Sequence, residues 1–439
     1  MEVAPETLDT LAGWLAQSLS PDAAARRAAE KSIDSAASSP GFALAILALA
    51  ASPRHDLQAR LAASVQFKNL LRSRWPKPDA DAADHLPASD CAIIKTHLLQ
   101  LLLTAPPLIQ AQLSEALAAA AASDFPARWE SLLPSIVSSF GTAVNAGDIA
   151  ATNSLLAAVV SLFSRFRNAF DNNALRLDLK YCLDIFAAPL LEVFLFASRR
   201  LQAAATTANP LELRPVFECL RLCCEIFYSL NSIDLPEFFE DNMGQWMTEF
   251  RAFLTTSYSP PVEADGAPDA LRAAVCDNLQ LYMEKYEEEF RGYLKEFVEA
   301  VWGLLMAQTA SPSRAQLAVT AIRFLTTVAE SVHHALFGSP EAMKQICDSV
   351  VVPNLRLRDE DEELFEGNWV EYVRRDSEGS DADTLRRAAC RLLRGLAANY
   401  REQVAALVSA QIQQMLAAYA ANRANNWKEK DAAIYLVYL

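Results

Sequence analysis

The chain is 439 residues long, and its 39 Lys+Arg against 54 Asp+Glu leave a net charge of −15. Hydrophobic residues make up 52%, enough for a sizeable core and too many for general disorder. The 12 glycines are about 3% against roughly 7% in average proteins, which disfavours Gly-rich phosphate loops and tight hairpins, while the acidity argues against nucleic acid and for basic protein partners.

From the N-terminus, Met1-Glu2-Val3-Ala4-Pro5-Glu6 shows no positive n-region of a signal peptide. The longest apolar run, Phe42 to Ala51, is ten residues, short of the about 20 that span a bilayer, so no membrane insertion is expected. Next, Asp56-Leu-Gln-Ala-Arg60 reads as a capped helix start. Between Arg54 and Lys77, the bases Arg54, Arg60, Lys68, Arg72, Arg74 and Lys77 face the single acid Asp56, a local +5. That stretch is either a solvated helix face or a docking face for an acidic partner. Asp124-Phe125-Pro126-x-x-Trp129 reads as a second start, with Asp124 as cap, Pro126 in the first turn, and Phe125 and Trp129 in the core.

Further along, Cys219, Cys223 and Cys224 share one apolar helix, and the eight cysteines include no Cys-x-x-Cys pair. They read as small buried hydrophobes of a reduced, intracellular protein. Asp234-Leu-Pro-Glu-Phe-Phe-Glu-Asp241, followed by Met243 and Trp246, fits a binding strip or a buried helix face equally well. Leu317, Ala321, Phe324, Leu325 and Val328 recur at helical steps, as do Leu385, Ala388, Ala389, Leu392, Leu393 and Leu396. No stretch sustains period-2 alternation. Pro21, Pro40, Pro53, Pro106-Pro107, Pro126, Pro215, Pro312 and Pro340 punctuate the pattern as helix starts.

Three helices open alike, at Asp56, Asp269 and Asp383, each with an Arg within a turn and then small residues; Asp431 opens a weaker fourth. Asp269 to Ser313 is 44 residues and Asp383 to Asp431 is 48, close to the HEAT period of about 40–47 residues. The interval from Ser313 to Asp383 is 70 residues, and its surplus coincides with a run rich in acids. Residues 356–382 carry Asp359, Glu360, Asp361, Glu362, Glu363, Glu366, Glu371, Asp376, Glu378 and Asp381, which read as an acidic loop inserted between the two helices of one hairpin. The expected fold is therefore all-α, a HEAT-repeat α-solenoid of antiparallel helix pairs. One array of about ten repeats would run over 1–439: N-terminal repeats at 1–140, middle repeats at 141–355, the loop at 356–382, and further repeats at 383–439. Ile434-Tyr-Leu-Val-Tyr-Leu439 is apolar helix with no closing polar face, so the array is expected to be incomplete at its C-terminus.

Enzyme chemistry has no foothold. No Gly-x-x-x-x-Gly-Lys-Ser/Thr and no His-Glu-x-x-His occurs, and His333 and His334, as neighbours, point to different helix faces. No cofactor or metal is expected.

Ala63-Ser-Val-Gln-Phe67-Lys68-Asn69 with Trp75 resembles the second repeat of importin-β superfamily transport receptors, and Asp124-Phe-Pro-x-x-Trp129-x-x-Leu-Leu-Pro134 resembles their third. Leu235-Pro-Glu-Phe-Phe-Glu-Asp-Asn-Met243, Glu284-Lys-Tyr-Glu-Glu-Glu-Phe290 and the block from Asp361 to Asp381 resemble the importin-α re-exporters, the cellular apoptosis susceptibility type of exportin. The resemblance covers the whole chain as an N-terminal half. It implies a non-enzymatic receptor that shuttles between nucleus and cytoplasm and is a monomer when free. It further implies Ran-GTP, importin-α and nucleoporins as partners. By this resemblance Gln66, Phe67, Lys68, Asn69 and Arg72 would contact Ran, and the acidic insertion would lie near Ran and cargo. Two other readings remain: a truncated receptor that binds Ran-GTP without productive cargo export, and a HEAT scaffold unrelated to Ran.

Overall fold

The computed structural model describes residues 3–76, 85–168, 170, 172–204, 209–306, 314–376 and 384–438. Every regular element among them is helical. The chain divides into two compact units, Met1–Arg200 with Glu218–Asp234 and Leu201–Phe217 with Leu235–Leu439.

The first unit begins with α1 (Pro5–Ser18), α2 (Ala23–Ala37), α3 (Phe42–Ala51) and α4 (Leu57–Arg74). It continues through α5 (Ala88–Thr104), α6 (Pro107–Asp124), α7 (Leu132–Asn145), α8 (Ile149–Phe163) and the single turn α9 (Arg165–Asn168). Two longer helices, α10 (Asn173–Ala204) and α11 (Pro210–Asn231), follow, the first belonging to this unit up to Arg200 and the second from Glu218 on. The apolar run at Phe42 is α3, which is hydrophobic all round because α1, α4 and α5 all pack on it. Helices α4, α6 and α8 stack side by side in one row, with α1, α3 and α5 in a second. Asp56 caps α4 as its sequence position predicts, accepting from the Ala59 amide at 2.7 Å. Phe67, Phe163, Phe186 and Phe194 are fully buried, each contributing about 1.5–3 kcal/mol by removal from water.

The second unit contains α12 (Glu237–Asp241), α13 (Met243–Thr255), α14 (Pro260–Ala264), α15 (Ala267–Lys285), α16 (Glu287–Met306) and α17 (Ala315–Glu330). A 3-10 turn at His334–Phe337 leads into α18 (Pro340–Ile346), a π-turn at Cys347–Val351 and α19 (Val352–Leu355). Then come α20 (Asp359–Asp376), α21 (Leu385–Ala421) and α22 (Trp427–Tyr438). Helices α15, α17 and α21 form a row like that of α4, α6 and α8. Tyr400, at φ −132 and ψ 44, breaks α21 into Leu385–Asn399 and Arg401–Ala421, and the helix as a whole packs on α18, α19 and α22.

Polar side-chain bonds between successive helices of each row recur at one repeat length. Asp269–Arg314 and Arg386–Asp431 are 45 residues apart, Asp277–Arg323 46 and Gln280–Thr327 47. Those separations match the HEAT period.

Several sequence expectations change. Asp269 is not a cap: α15 begins at Ala267 behind a left-handed Gly266 (φ 79), and the Asp269 carboxylate is taken by Arg272 and Arg314. Thr384, not Asp383, caps α21, while Asp383 and Ser313 lie outside the described residues. Asp431 falls inside α22, where Arg386 needs a carboxylate at 2.8 Å. Asp124 ends α6 instead of starting a helix; Lys95 (2.5 Å) and Arg128 (2.8 Å) occupy it, and α7 starts only at Leu132. Pro215 lies inside α11, which starts at Pro210, so it is not a helix start and lacks the N–H that would donate to the carbonyl four residues back; Pro312 lies outside the described residues. Three helical stretches, 149–167, 173–204 and 385–421, are long and apolar enough to cross a membrane by length and composition. The ten-residue run is therefore too narrow a criterion, since helical windows accommodate scattered polar residues. In the first two, half or more of the window is buried against neighbouring helices.

Candidate functional site

The basic stretch folds onto α4, and the structure sorts its cations by job. Arg60 Nε donates to the Ala50 carbonyl at 3.1 Å and Arg74 Nη1 to the Ala37 carbonyl at 2.8 Å, closing the C-terminal ends of α3 and α2. Lys68 and Arg72, one turn apart on α4, both reach across to Glu115 on α6, at 3.4 and 2.8 Å. Asn69 is exposed and Gln66 half-buried, so Gln66, Lys68, Asn69 and Arg72 form one accessible polar strip. Phe67 does not join it. Its ring is fully buried, so its resemblance-based role as a contact residue is corrected to core packing. Lys77 lies outside the described residues.

The second candidate surface is α20. The acidic insertion is helical over 359–376, not a loop, and follows α19 and precedes α21 in the chain. Helicity follows from charge placement: Asp359, Glu360, Asp361 and Glu362 fill the first turn and Arg374 and Arg375 the last, matching the helix dipole at both ends. Asn368 interrupts the helix at φ −156 and ψ 77, and its side chain accepts from the Glu371 amide at 3.1 Å, recapping the second half. Lys428 on α22 ties the acidic end down, 2.7 Å from Asp359 and 3.0 Å from Glu362. That hydrogen bond and charge hold the Asp359 carboxyl below its usual range and raise the Lys428 ammonium. Arg356 meets Glu429 at 3.1 Å beside them, and Asp361 accepts from the Arg358 amide at 3.2 Å.

Glu360, Glu363 and Glu366 face solvent, and Glu371 pairs with Arg375 at 3.2 Å. Asp376 ends the helix; Glu378 and Asp381 lie outside the described residues. The same helix exposes four large apolar side chains, Phe365, Trp369, Val370 and Val373, each more than half open to solvent. Sequence reasoning passed over them, although Phe365, Trp369 and Val373 recur at helical spacing. Glu115 and Lys428 were also missed, because their roles come from contacts 43 to 69 residues away in the chain.

Other candidates resolve into structure. Phe239, Met243 and Trp246 are buried, which settles the Asp234–Trp246 segment as a helix face turned to the core. Phe125 and Trp129 are buried as expected, with Lys95 Nζ 5.9 Å from the Trp75 ring and 5.7 Å from the Trp129 ring. All eight cysteines are free and buried. Burial raises the Cys91 and Cys347 thiols to about 11 and Cys182, Cys223, Cys224 and Cys276 higher still, so these remain unreactive thiols near neutral pH. His333 bonds Glu287 at 2.8 Å and His334 bonds Tyr400 at 2.9 Å, so the two rings turn to different partners. Among the described residues no group of His, Cys, Asp and Glu is arranged to hold a metal.

The chain is similar to known proteins along its whole length. Residues 162–439 match the Cse1 family, and residues 29–104 match the importin-beta N-terminal domain. The whole chain aligns with Exportin-2 of Pagrus major at 41% identity, of Homo sapiens at 40% and of Drosophila melanogaster at 38%. In each case it covers 45% of the relative, so the chain spans about half the length of the curated relatives it matches. Among solved structures, the exportin Cse1 in its cargo-free, cytoplasmic state overlays with a TM-score of 0.90 and 32% identity, covering 98% of this chain and 46% of that one. Kap121p bound to RanGTP overlays with a TM-score of 0.57 at 17% identity over 99% of this chain and 36% of that one, a likeness of fold alone.

Proposed function

The chain belongs to the Cse1 family, and from that membership we propose that it works as a nuclear transport receptor, binding Ran in its GTP form and carrying importin-α out of the nucleus. The observation that carries this reading is the overlay of 98% of this chain on 46% of the cargo-free exportin Cse1. Residues 1–140 would supply the Ran-binding repeats through the strip of Gln66, Lys68, Asn69 and Arg72, of which Asn69 and Arg72 are exposed. Helix α20 would supply a surface for a basic, amphipathic cargo segment: its acids give charge complementarity, and Phe365 and Trp369 give an apolar anchor.

The mechanism is linkage, not catalysis. Ran-GTP and importin-α each bind one conformation of a bendable array better than the other, so each strengthens the other's binding by the same factor. Hydrolysis of GTP by Ran in the cytoplasm removes one of the two and releases the second, and the receptor returns to the nucleus past nucleoporins as a free monomer. The test is retention of Ran by the immobilised chain in both nucleotide states, with and without importin-α. Retention of Ran-GTP, enhanced by importin-α and absent for Ran-GDP, is expected. Equal retention of the two nucleotide states, or of neither, rejects the reading.

A further inference from the structure

The cations of the α4 strip already have an internal partner. Lys68 Nζ and Arg72 Nη2 converge on one oxygen, Glu115 Oε2, at 3.4 and 2.8 Å. Together the three side chains carry a net +1 where the two cations alone would carry +2. We propose that Glu115 is an electrostatic gate on this surface: it occupies the place of an incoming partner's acid, so that docking exchanges one carboxylate for another. The proposal rests on the reading of this strip as a face that binds acids of Ran.

Three features support an exchange site over a purely structural ion pair. Accessibility comes first. The Glu115 and Arg72 side chains are 43% and 56% exposed, so an acid on a partner reaches the guanidinium without any helix repacking, while Lys68 at 14% lies beneath as the fixed base of the site. Position comes second. Arg60 and Arg74 are spent on backbone carbonyls at helix ends, so Lys68 and Arg72 are the cations of this helix left facing a carboxylate. Packing comes third. Helix α6 is held by Leu113, Ala116, Leu117 and Ala120, all buried, so Glu115 is not needed to seat its own helix.

The gate also sets specificity. A partner offering a single carboxylate replaces what Glu115 already supplies and gains little. A partner offering two or more adjacent acids can hold Arg72 in bidentate geometry and still meet Lys68, so the internal carboxylate discriminates against weakly acidic surfaces.

The test is stopped-flow association of Ran-GTP with the chain and with Glu115→Gln, at low and at high salt, alongside thermal unfolding of both. Freeing an exposed pair should raise the association rate and affinity roughly two- to fivefold at low salt. The increment should fade at high salt, and the unfolding midpoint should stay within about a degree or two. Association that is unchanged overturns the gate. Slower association also overturns it, and would make Glu115 a contact for a basic group of the partner. If the unsubstituted chain itself fails to bind Ran-GTP, the reading of the whole strip falls and the gate with it, an outcome visible before any variant is compared.

Discussion

Arg272→Met probes the polar joint that holds the second unit's first repeat together. Arg272 is 5% exposed in its side chain and makes five bonds: to Glu263 at 2.8 and 2.9 Å, to Asp269 at 3.2 Å, and to the carbonyls of Thr256 at 2.7 Å and Phe253 at 3.3 Å. Methionine keeps most of the stem volume but leaves the two carboxylates to Arg314, 3.1 Å from Asp269 and 3.4 Å from Glu263, with the Tyr258 amide on Glu263 at 3.0 Å. Breaking a buried pair by removing one partner costs about 3–5 kcal/mol, and the backing from Arg314 places this one near the lower end, about 3 kcal/mol.

The deficit should depend on pH. Burial pushes the Glu263 carboxyl up, but the Arg272 hydrogen bonds, the Tyr258 amide and the charges of Arg272 and Arg314 bring it below its usual range. A carboxyl lowered on folding adds stability that is present above its unfolded value and lost as pH falls through its folded one. Asp269 is more deeply buried, and burial outweighs its two arginines to raise it. Its contribution is full at low pH and is lost as pH rises through its folded value. Without Arg272 both carboxyls move up, so the variant's deficit is largest near neutrality and shrinks on acidification into the carboxylate range. Urea unfolding at about pH 7 and about pH 4.5 measures this, with amide exchange across α13–α15 reporting the local loss, because arrays unfold regionally. A deficit below about 1 kcal/mol, or one equal at the two pH values, would refute the reasoning.

Other outcomes follow from the two candidate surfaces. Lys68→Glu with Arg72→Glu should slow Ran-GTP association and flatten its salt dependence while circular dichroism shows full helicity. Lys428→Ala should release the acidic end of α20, seen as faster proteolysis within 359–376 with little change in the unfolding midpoint, since that contact is largely exposed. Phe365→Ser with Trp369→Ser should weaken importin-α binding without destabilising the chain, because both rings are solvent-facing; a loss of stability instead would show that they pack on the array. Lys at Asp359, Glu360 and Asp361 should weaken partner binding most at low salt, and unchanged affinity would reduce the acids to solvation.

The repeat architecture was legible because its signal is local: apolar residues at helical steps, and acidic-then-basic pairs returning at one repeat length. What the sequence hid was partner choice. Asp269 and Asp124 look like caps, since Asp before an apolar run commonly is one, but Arg272 and Arg314 take the first carboxylate and Lys95 and Arg128 the second. Phe67 sits in a polar, resemblance-bearing block, and only the three-dimensional packing of α4 shows it turned inward. Residues 356–382 read as a loop on their acid content and on the surplus over the repeat length, although the acids at the start of 359–376 and the arginines at its end are what a helix dipole favours. Glu115 could not be found by scanning near Lys68, because the repeat period, not sequence proximity, brings it there.

Under the proposed function, this helical array senses the nucleotide on Ran and couples it to cargo. The most direct measurement is the affinity of the chain for importin-α, titrated in the presence of Ran-GTP and again with Ran-GDP. The account predicts that Ran-GTP tightens importin-α binding, that importin-α tightens Ran-GTP binding by the same factor, and that Ran-GDP does neither. Equal importin-α affinity under both nucleotide states would contradict it.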